Sequence, residues 1–102
     1  MMATLNELMT AMNQMVAELG YYGENSAKPQ TPRNIAISLA LEAAEVLEHY
    51  QWQESAPPAA LAEELADVAL YLLQLAYLTG IDLEAAIQEK IVRNYQRFGG
   101  KP

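Results

Sequence analysis

Four carboxylates stand out by type and spacing. Glu42 and Glu45 are three residues apart, and so are Glu64 and Asp67. That interval puts both members of a pair on one face of a helix. Both pairs lie in or beside strongly apolar stretches. Ile35 to Leu47 is otherwise almost entirely apolar, and Leu65 to Leu78 is the same. A buried carboxylate costs on the order of several kcal/mol unless something pairs with it. No Lys or Arg occurs between Arg33 and Lys90, so local counterions are missing. Four anions on two neighbouring helices then point to a bound divalent cation. All-oxygen ligation favours Mg²⁺ or Mn²⁺ over zinc or copper. One such acid pair is common on a solvated helix face. Two pairs set in apolar helices and joined by one short loop are the metal signal. A di-iron bundle would need Glu-x-x-His motifs, and neither pair has one.

Composition narrows the remaining chemistry. The 102 residues fit one domain, 1–102. With no cysteine, thiol nucleophiles, disulfides and cysteine-based zinc sites are excluded. The single His49 cannot build a histidine-rich metal site, and it reads as a partly exposed helix residue rather than a ligand. A net charge of −7 argues against a generic binder of nucleic-acid polymers, which needs the opposite sign. No charge-free apolar run approaches the ~18 residues of a membrane span, so no membrane partner is expected. The N-terminal residues lack the basic and apolar regions of a signal peptide. A cytoplasmic location is the expectation.

The acids must be held by helices. Gly and Pro divide the chain at 20–32, 54–58, 79–82 and 99–102, leaving segments of roughly 4–19, 33–52, 58–79 and 82–98. All four are rich in Ala, Leu, Glu and Gln, which favour helix. Thr4 with Glu7 makes a capping box, and Thr31 before Pro32 suits a helix start. Asp82 suits an N-cap and Gly80 a helix end. No long apolar–polar alternation signals a strand. The expectation is an all-α bundle of about four helices. Its two middle helices are apolar nearly all round, which requires burial all round. A domain this small has too little interior for two such helices, so an obligate homo-oligomer is expected. Met9, Met12 and Met15 on the first helix read as core or subunit contacts.

Charge is segregated along the chain. All thirteen acids lie in residues 1–89, with only Lys28 and Arg33 among them. Lys90, Arg93, Arg97 and Lys101 follow with no acid. Lys90, Arg93, Asn94 and Arg97 share one face of the last helix. Cations near a helix C-terminus are favoured by the macrodipole alone, by ~0.3–1 kcal/mol. The alternative is a cationic face suited to a metal-bound polyphosphate.

Taken in order, these residues resemble the ExxE…ExxD signature of the MazG-like all-α nucleoside triphosphate pyrophosphohydrolases. The signature is Glu42-Ala-Ala-Glu45, then Glu64-Leu-Ala-Asp67. Thr31-Pro32-Arg33-Asn34 precedes the first motif and Glu48-His49-Tyr50-Gln51-Trp52 follows it. Gly80-Ile81-Asp82-Leu83 and Lys90-Ile-Val-Arg-Asn94-Tyr-Gln-Arg97-Phe98 complete the set. The likeness covers residues 31–98 and is strongest to the dCTP pyrophosphatase-like branch. Relatives often carry an aromatic or a histidine just before the Thr-Pro-Arg-Asn segment, where this chain has Ser26-Ala27-Lys28-Pro29-Gln30.

The resemblance implies a MazG-like helical bundle, a dimer or dimer of dimers with the tetramer favoured. It implies Mg²⁺-dependent cleavage of a nucleoside triphosphate to the monophosphate and pyrophosphate, in nucleotide-pool house-cleaning with a possible dCTP-like preference. By position, Glu42, Glu45, Glu64 and Asp67 would hold the metal. Arg33, Asn34, Lys90, Asn94 and Arg97 would contact substrate. Trp52 would stack on the base, though it suits a core or interface anchor equally well. Tyr71, one turn beyond Asp67, would touch phosphate or sugar. Glu45 is the candidate general base; Glu63 is either a helper behind the ligands or a simple exposed acid. A non-catalytic oligomeric interaction module explains the apolar helices and the acidic surface too, but not the acid pairs.

Overall fold

The computed structural model describes residues 3–99. The chain forms four helices, α1 (Leu5–Glu18), α2 (Pro32–Glu48), α3 (Pro58–Leu78) and α4 (Leu83–Arg97), and no strand is present among the described residues. Lys101, placed above in the cationic tail, lies outside the described residues.

The helix ends follow from capping chemistry. Thr4 accepts a hydrogen bond from the Glu7 backbone N–H while the Glu7 carboxylate accepts one from the Thr4 N–H, closing the capping box on α1. Thr31 accepts from the Asn34 N–H at the start of α2, with Pro32 at the first helical position. Asp82 accepts from the Ala85 N–H and caps α4. α1 and α3 both end in a Schellman turn. Gly20 (φ +83°) and Gly80 (φ +70°) take the left-handed conformation. Tyr21 N–H then donates to Val16 O at 3.2 Å, and Ile81 N–H to Ala76 O at 2.9 Å.

α2 stops earlier than the sequence suggests. The segment 33–52 is helical only to Glu48, with His49 as C-cap. Beyond it the backbone tightens into three-residue turns, with Tyr50 N–H donating to Leu47 O and Gln51 N–H to Glu48 O. The Gln53 side chain donates to the His49 carbonyl at 2.8 Å. That bond satisfies a carbonyl the helix leaves open and fixes the turn.

The core lies between α1 and α3. Met12, Val16 and Leu73 are buried together, with Leu5, Met9, Tyr22 and Leu83 packed against them. α2 packs along α3 as an antiparallel hairpin, and α1 covers the later part of α3. The chain bends by 105° between α3 and α4. α4 is tied to α1, where Glu84 accepts from the Leu5 N–H at 3.0 Å. Every described residue from Ile87 onward is exposed.

A compact domain of ~100 residues has a radius of gyration of ~13 Å. This chain measures 16.2 Å. Large apolar side chains stay open to solvent along every helix, among them Leu41, Leu65, Leu72, Ile91 and Phe98. The all-round apolar character of α2 and α3 is therefore not matched by burial within one chain. No single described helix is long and apolar enough to cross a membrane.

Candidate metal centre and adjoining cleft

The antiparallel pairing of α2 with α3 brings the two acid motifs face to face. One carboxylate oxygen from each of Glu42, Glu64 and Asp67 lies within 4.8 Å of the others. Glu45, one turn beyond Glu42, is exposed. Its carboxyl is a near neighbour that helps to raise those of Glu42 and Glu64. Glu63, next to Glu64 in sequence, is exposed.

The acids lack partners. Glu42 Oε2 and Glu64 Oε2 are both buried without a hydrogen bond. Buried carboxylate oxygens are costly when orphaned, and a cation is the ligand that would satisfy several at once. Burial is the largest cause holding the Glu42 carboxyl above its ordinary range, and Glu45, Asp67 and Glu64 add to it. Glu64 is raised for the same reasons, with opposition from His49. His49 Nε2 stands 3.7 Å from Glu64 Oε1. The histidine treated above as a bystander is thus the neighbour of one candidate ligand. It reaches there because its backbone is still helical (φ −62°, ψ −22°), which keeps it on the stripe of Glu42 and Glu45, four residues beyond the latter.

A cleft of about 640 Å³ opens beside the acids. α1, the loop before α2, and the inner faces of α2 and α3 form its walls. Asp67, Tyr71 and Gln74 line it from α3. Their spacing of four and three residues puts them on one helical stripe. Asn34 and Ser38 line it from α2, and Ser38 is one turn before Glu42. Met12 and Ile35 contribute apolar wall. Burial raises the Tyr71 hydroxyl above its ordinary range, and the Glu42 and Asp67 charges raise it further. It stays a neutral donor at neutral pH.

The other candidates are spread out. Asn34 lies in the cleft, and its amide donates to Pro29 O at 2.9 Å. Arg33 is exposed beside it and donates to Asn34 Oδ1 at 3.4 Å. Trp52 is 90% exposed in the α2–α3 loop and does not line the cleft. Lys90, Asn94 and Arg97 are exposed on α4, outside the cleft, with the Arg97 guanidinium 5.3 Å from the centre of the Phe98 ring. One chain thus assembles the acids with Asn34 and Tyr71, and leaves Lys90, Arg97 and Trp52 apart.

Sequence reasoning missed Lys28, Gln30, Ser38 and Gln74 as cleft residues. Ser38 and Gln74 were findable, since each sits on the helical stripe of a candidate ligand. Lys28 and Gln30 belong to the stretch before Thr31 where the family resemblance marks a departure, but neither was singled out there.

Known proteins share this architecture. Residues 37–101 match the MazG-like family. dCTP pyrophosphatase 1 of Rattus norvegicus is 39% identical over 77 residues, covering 66% of this chain and 45% of its own length. The Homo sapiens protein of the same name is 36% identical over the same coverage. The chain therefore spans about half the length of these relatives. The crystal structure of a pyrophosphatase from Archaeoglobus fulgidus superposes with a TM-score of 0.77 at 28% identity, covering 96% of this chain and 94% of that one.

Proposed function

The chain belongs to the MazG-like family, and from that premise we propose that it is a Mg²⁺-dependent nucleoside triphosphate pyrophosphohydrolase. The observation that carries this reading is the convergence of Glu42, Glu64 and Asp67, with two buried carboxylate oxygens left unpartnered. Glu42, Glu45, Glu64 and Asp67 would hold Mg²⁺, with Mn²⁺ as a substitute. When bound, the metal would neutralise phosphate charge and acidify water.

The remaining chemistry falls to the chain's own groups. Glu45 is the most exposed carboxylate of α2 in the cluster and takes the proton of the attacking water. Water adds to phosphorus, the α–β anhydride bond breaks, and pyrophosphate leaves with the electron pair. Tyr71 donates to a phosphate or sugar oxygen. The cleft beside Asp67 receives the nucleoside, with Asn34 at its wall. No Ser, Cys or His nucleophile is needed.

The phosphates also require cations, and α4 supplies them. Within one chain α4 packs on α1 and carries Lys90, Asn94 and Arg97 away from the acids. The exposed apolar faces and the expanded radius support a homo-oligomer, and the tetramer is the favoured form. In it, α4 of one copy would bring its cationic face to the acids of another, and Trp52 would be covered by the same association or by the base. A preference resembling that of the dCTP pyrophosphatases, and a house-cleaning role in a cytoplasmic nucleotide pool, complete the proposal.

The test is direct. Purified protein is incubated with Mg²⁺ and each canonical nucleotide, and pyrophosphate and monophosphate are measured. Glu42→Gln and Asp67→Asn should abolish turnover with helicity and oligomer size retained. Full activity in either variant overturns the metal site, and release of orthophosphate alone overturns the reaction class.

A further inference from the structure

The cleft holds a polar feature that the hydrolytic reading does not use. Gln74 is only 3% exposed, yet it lines the cleft on the same stripe of α3 as Asp67 and Tyr71. Its Nε2 donates to Gln30 Oε1 at 2.7 Å and to the Tyr22 hydroxyl at 3.4 Å. The Tyr22 hydroxyl donates onward to Asn13 Oδ1, and Asn13 is itself buried. Gln30 Nε2 donates to Lys28 O at 2.6 Å. Four polar side chains from α1, the following loop and α3 thus lock one another in place.

Counting valences shows what is left over. A primary amide has two N–H donors and one carbonyl acceptor. Gln74 spends both donors on Gln30 and Tyr22, and no described residue donates to its Oε1. Gln30 spends its acceptor and one donor, which leaves one N–H. Both residues line the cleft, and a spare acceptor with a spare donor is the complement of a nucleobase edge, which offers a donor beside an acceptor. Gln74 lies seven residues beyond Asp67, hence ~10 Å along the helix axis. A nucleoside separates its base edge from its phosphates by a comparable span.

We propose that Gln74, with Gln30 fixed beside it, reads the Watson–Crick edge of the nucleobase and sets the base selectivity of this site; this rests on the pyrophosphohydrolase reading above. Tyr22 and Asn13 are positioning residues that hold the Gln74 amide in one orientation. A site built to hydrogen-bond a substrate edge discriminates strongly, because the wrong edge leaves its buried groups unpaired.

The experiment compares kcat/KM for the four deoxynucleoside triphosphates in the wild type, Gln74→Leu and Gln30→Ala. Circular dichroism and thermal melting accompany each protein. Gln74→Leu keeps the volume and removes the amide; Gln30→Ala lies in a loop and serves if the helix variant fails to fold. The expected result is that the ratio of best to worst base falls by at least about tenfold in either variant. Gln74→Glu, which removes the two donors and so releases Gln30, should alter the order of preference. If the wild type turns over with clear preference and both variants keep its ratios, the proposal is overturned and the hydrolytic reading stands. A wild type that turns over all four bases equally overturns it as well. If the wild type cleaves none of them, the hydrolytic reading itself fails, and this inference with it.

Discussion

The α2–α3 hairpin and helix α4 carry opposite charge and stand in opposite structural situations. The hairpin brings its acids together within one chain, with three carboxylate oxygens inside a 4.8 Å cluster. α4 carries its cations into solvent, bent 105° from the end of α3. The acids are thus placed together by intrachain packing, whereas the α4 cations are held on the α1 side, away from them; among the described cations, Lys28 alone lines the cleft. A polyphosphate site needs both signs of charge. The difference teaches that packing within one chain gathers the acids and leaves the α4 cations in solvent, and the proposed oligomer is the means by which the two would meet.

The sharpest way to break the comparison is to remove one carboxylate. Glu42→Gln should lower kcat by at least ~10²–10³-fold, the scale seen when one preorganised transition-state contact is lost. Pyrophosphate release at saturating Mg²⁺ checks this, and a loss under tenfold would separate the acids from the chemistry. A second experiment addresses α4. Lys90→Ala with Arg97→Ala should impair turnover as a double variant. Mixed after mild dissociation with Glu42→Gln, it should recover activity in about a quarter of the sites, as random pairing in a two-fold dimer requires. No recovery would mean that acids and cations meet within one chain.

Helix starts were legible in the sequence, and so was the acid cluster. Thr4 with Glu7, Thr31 with Pro32, and Asp82 all cap where their residue types predict, because capping is local chemistry. The acid pairs were legible because a three-residue interval fixes a shared face. The end of α2 was not, since Gln53 bonding back to the His49 carbonyl depends on how the loop folds. The approach of His49 to Glu64 was readable in its spacing, since His49 stands four residues beyond Glu45 on the same helical stripe. The Gln30–Gln74 bond joins residues 44 apart, and no periodicity announces such a contact. α4 shows the reverse case: its cationic face was visible on a helical wheel, but a wheel does not say what the face meets.

Metal linkage should be the next largest effect. Mg²⁺ at ~100 times its Kd stabilises the folded state by ~2.7 kcal/mol. In a domain this size that raises Tm by roughly 10 °C or more. Glu64→Gln should lose most of the shift, and a non-catalytic helical module would show none. A pH series sharpens the same point. The Glu42 and Glu64 carboxyls are raised above the ordinary value of 4.5. Below that value they are protonated in both folded and unfolded chains and carry no penalty. As pH rises above it, the unfolded chain ionises first, so metal-free stability should fall through the raised range. Mg²⁺ affinity should climb over the same range as protons are displaced. Melting with and without Mg²⁺ from pH 4 to 8 reads both trends.

Thr31→Ala sets the low end. It removes the N-cap of α2 and should cost ~1 kcal/mol of stability. Thermal melting checks this; turnover is no control for it, because the same hydroxyl accepts from the N–H of Asn34 in the cleft wall.

Phosphorus NMR of wild-type protein and Glu64→Gln with dCTP, at saturating Mg²⁺ and after its chelation, tests the central claim most directly. The expected result is monophosphate and pyrophosphate from the wild type with Mg²⁺ alone, and intact nucleotide in the other three samples. Equal cleavage by a folded Glu64→Gln variant, or cleavage that survives chelation, would contradict it.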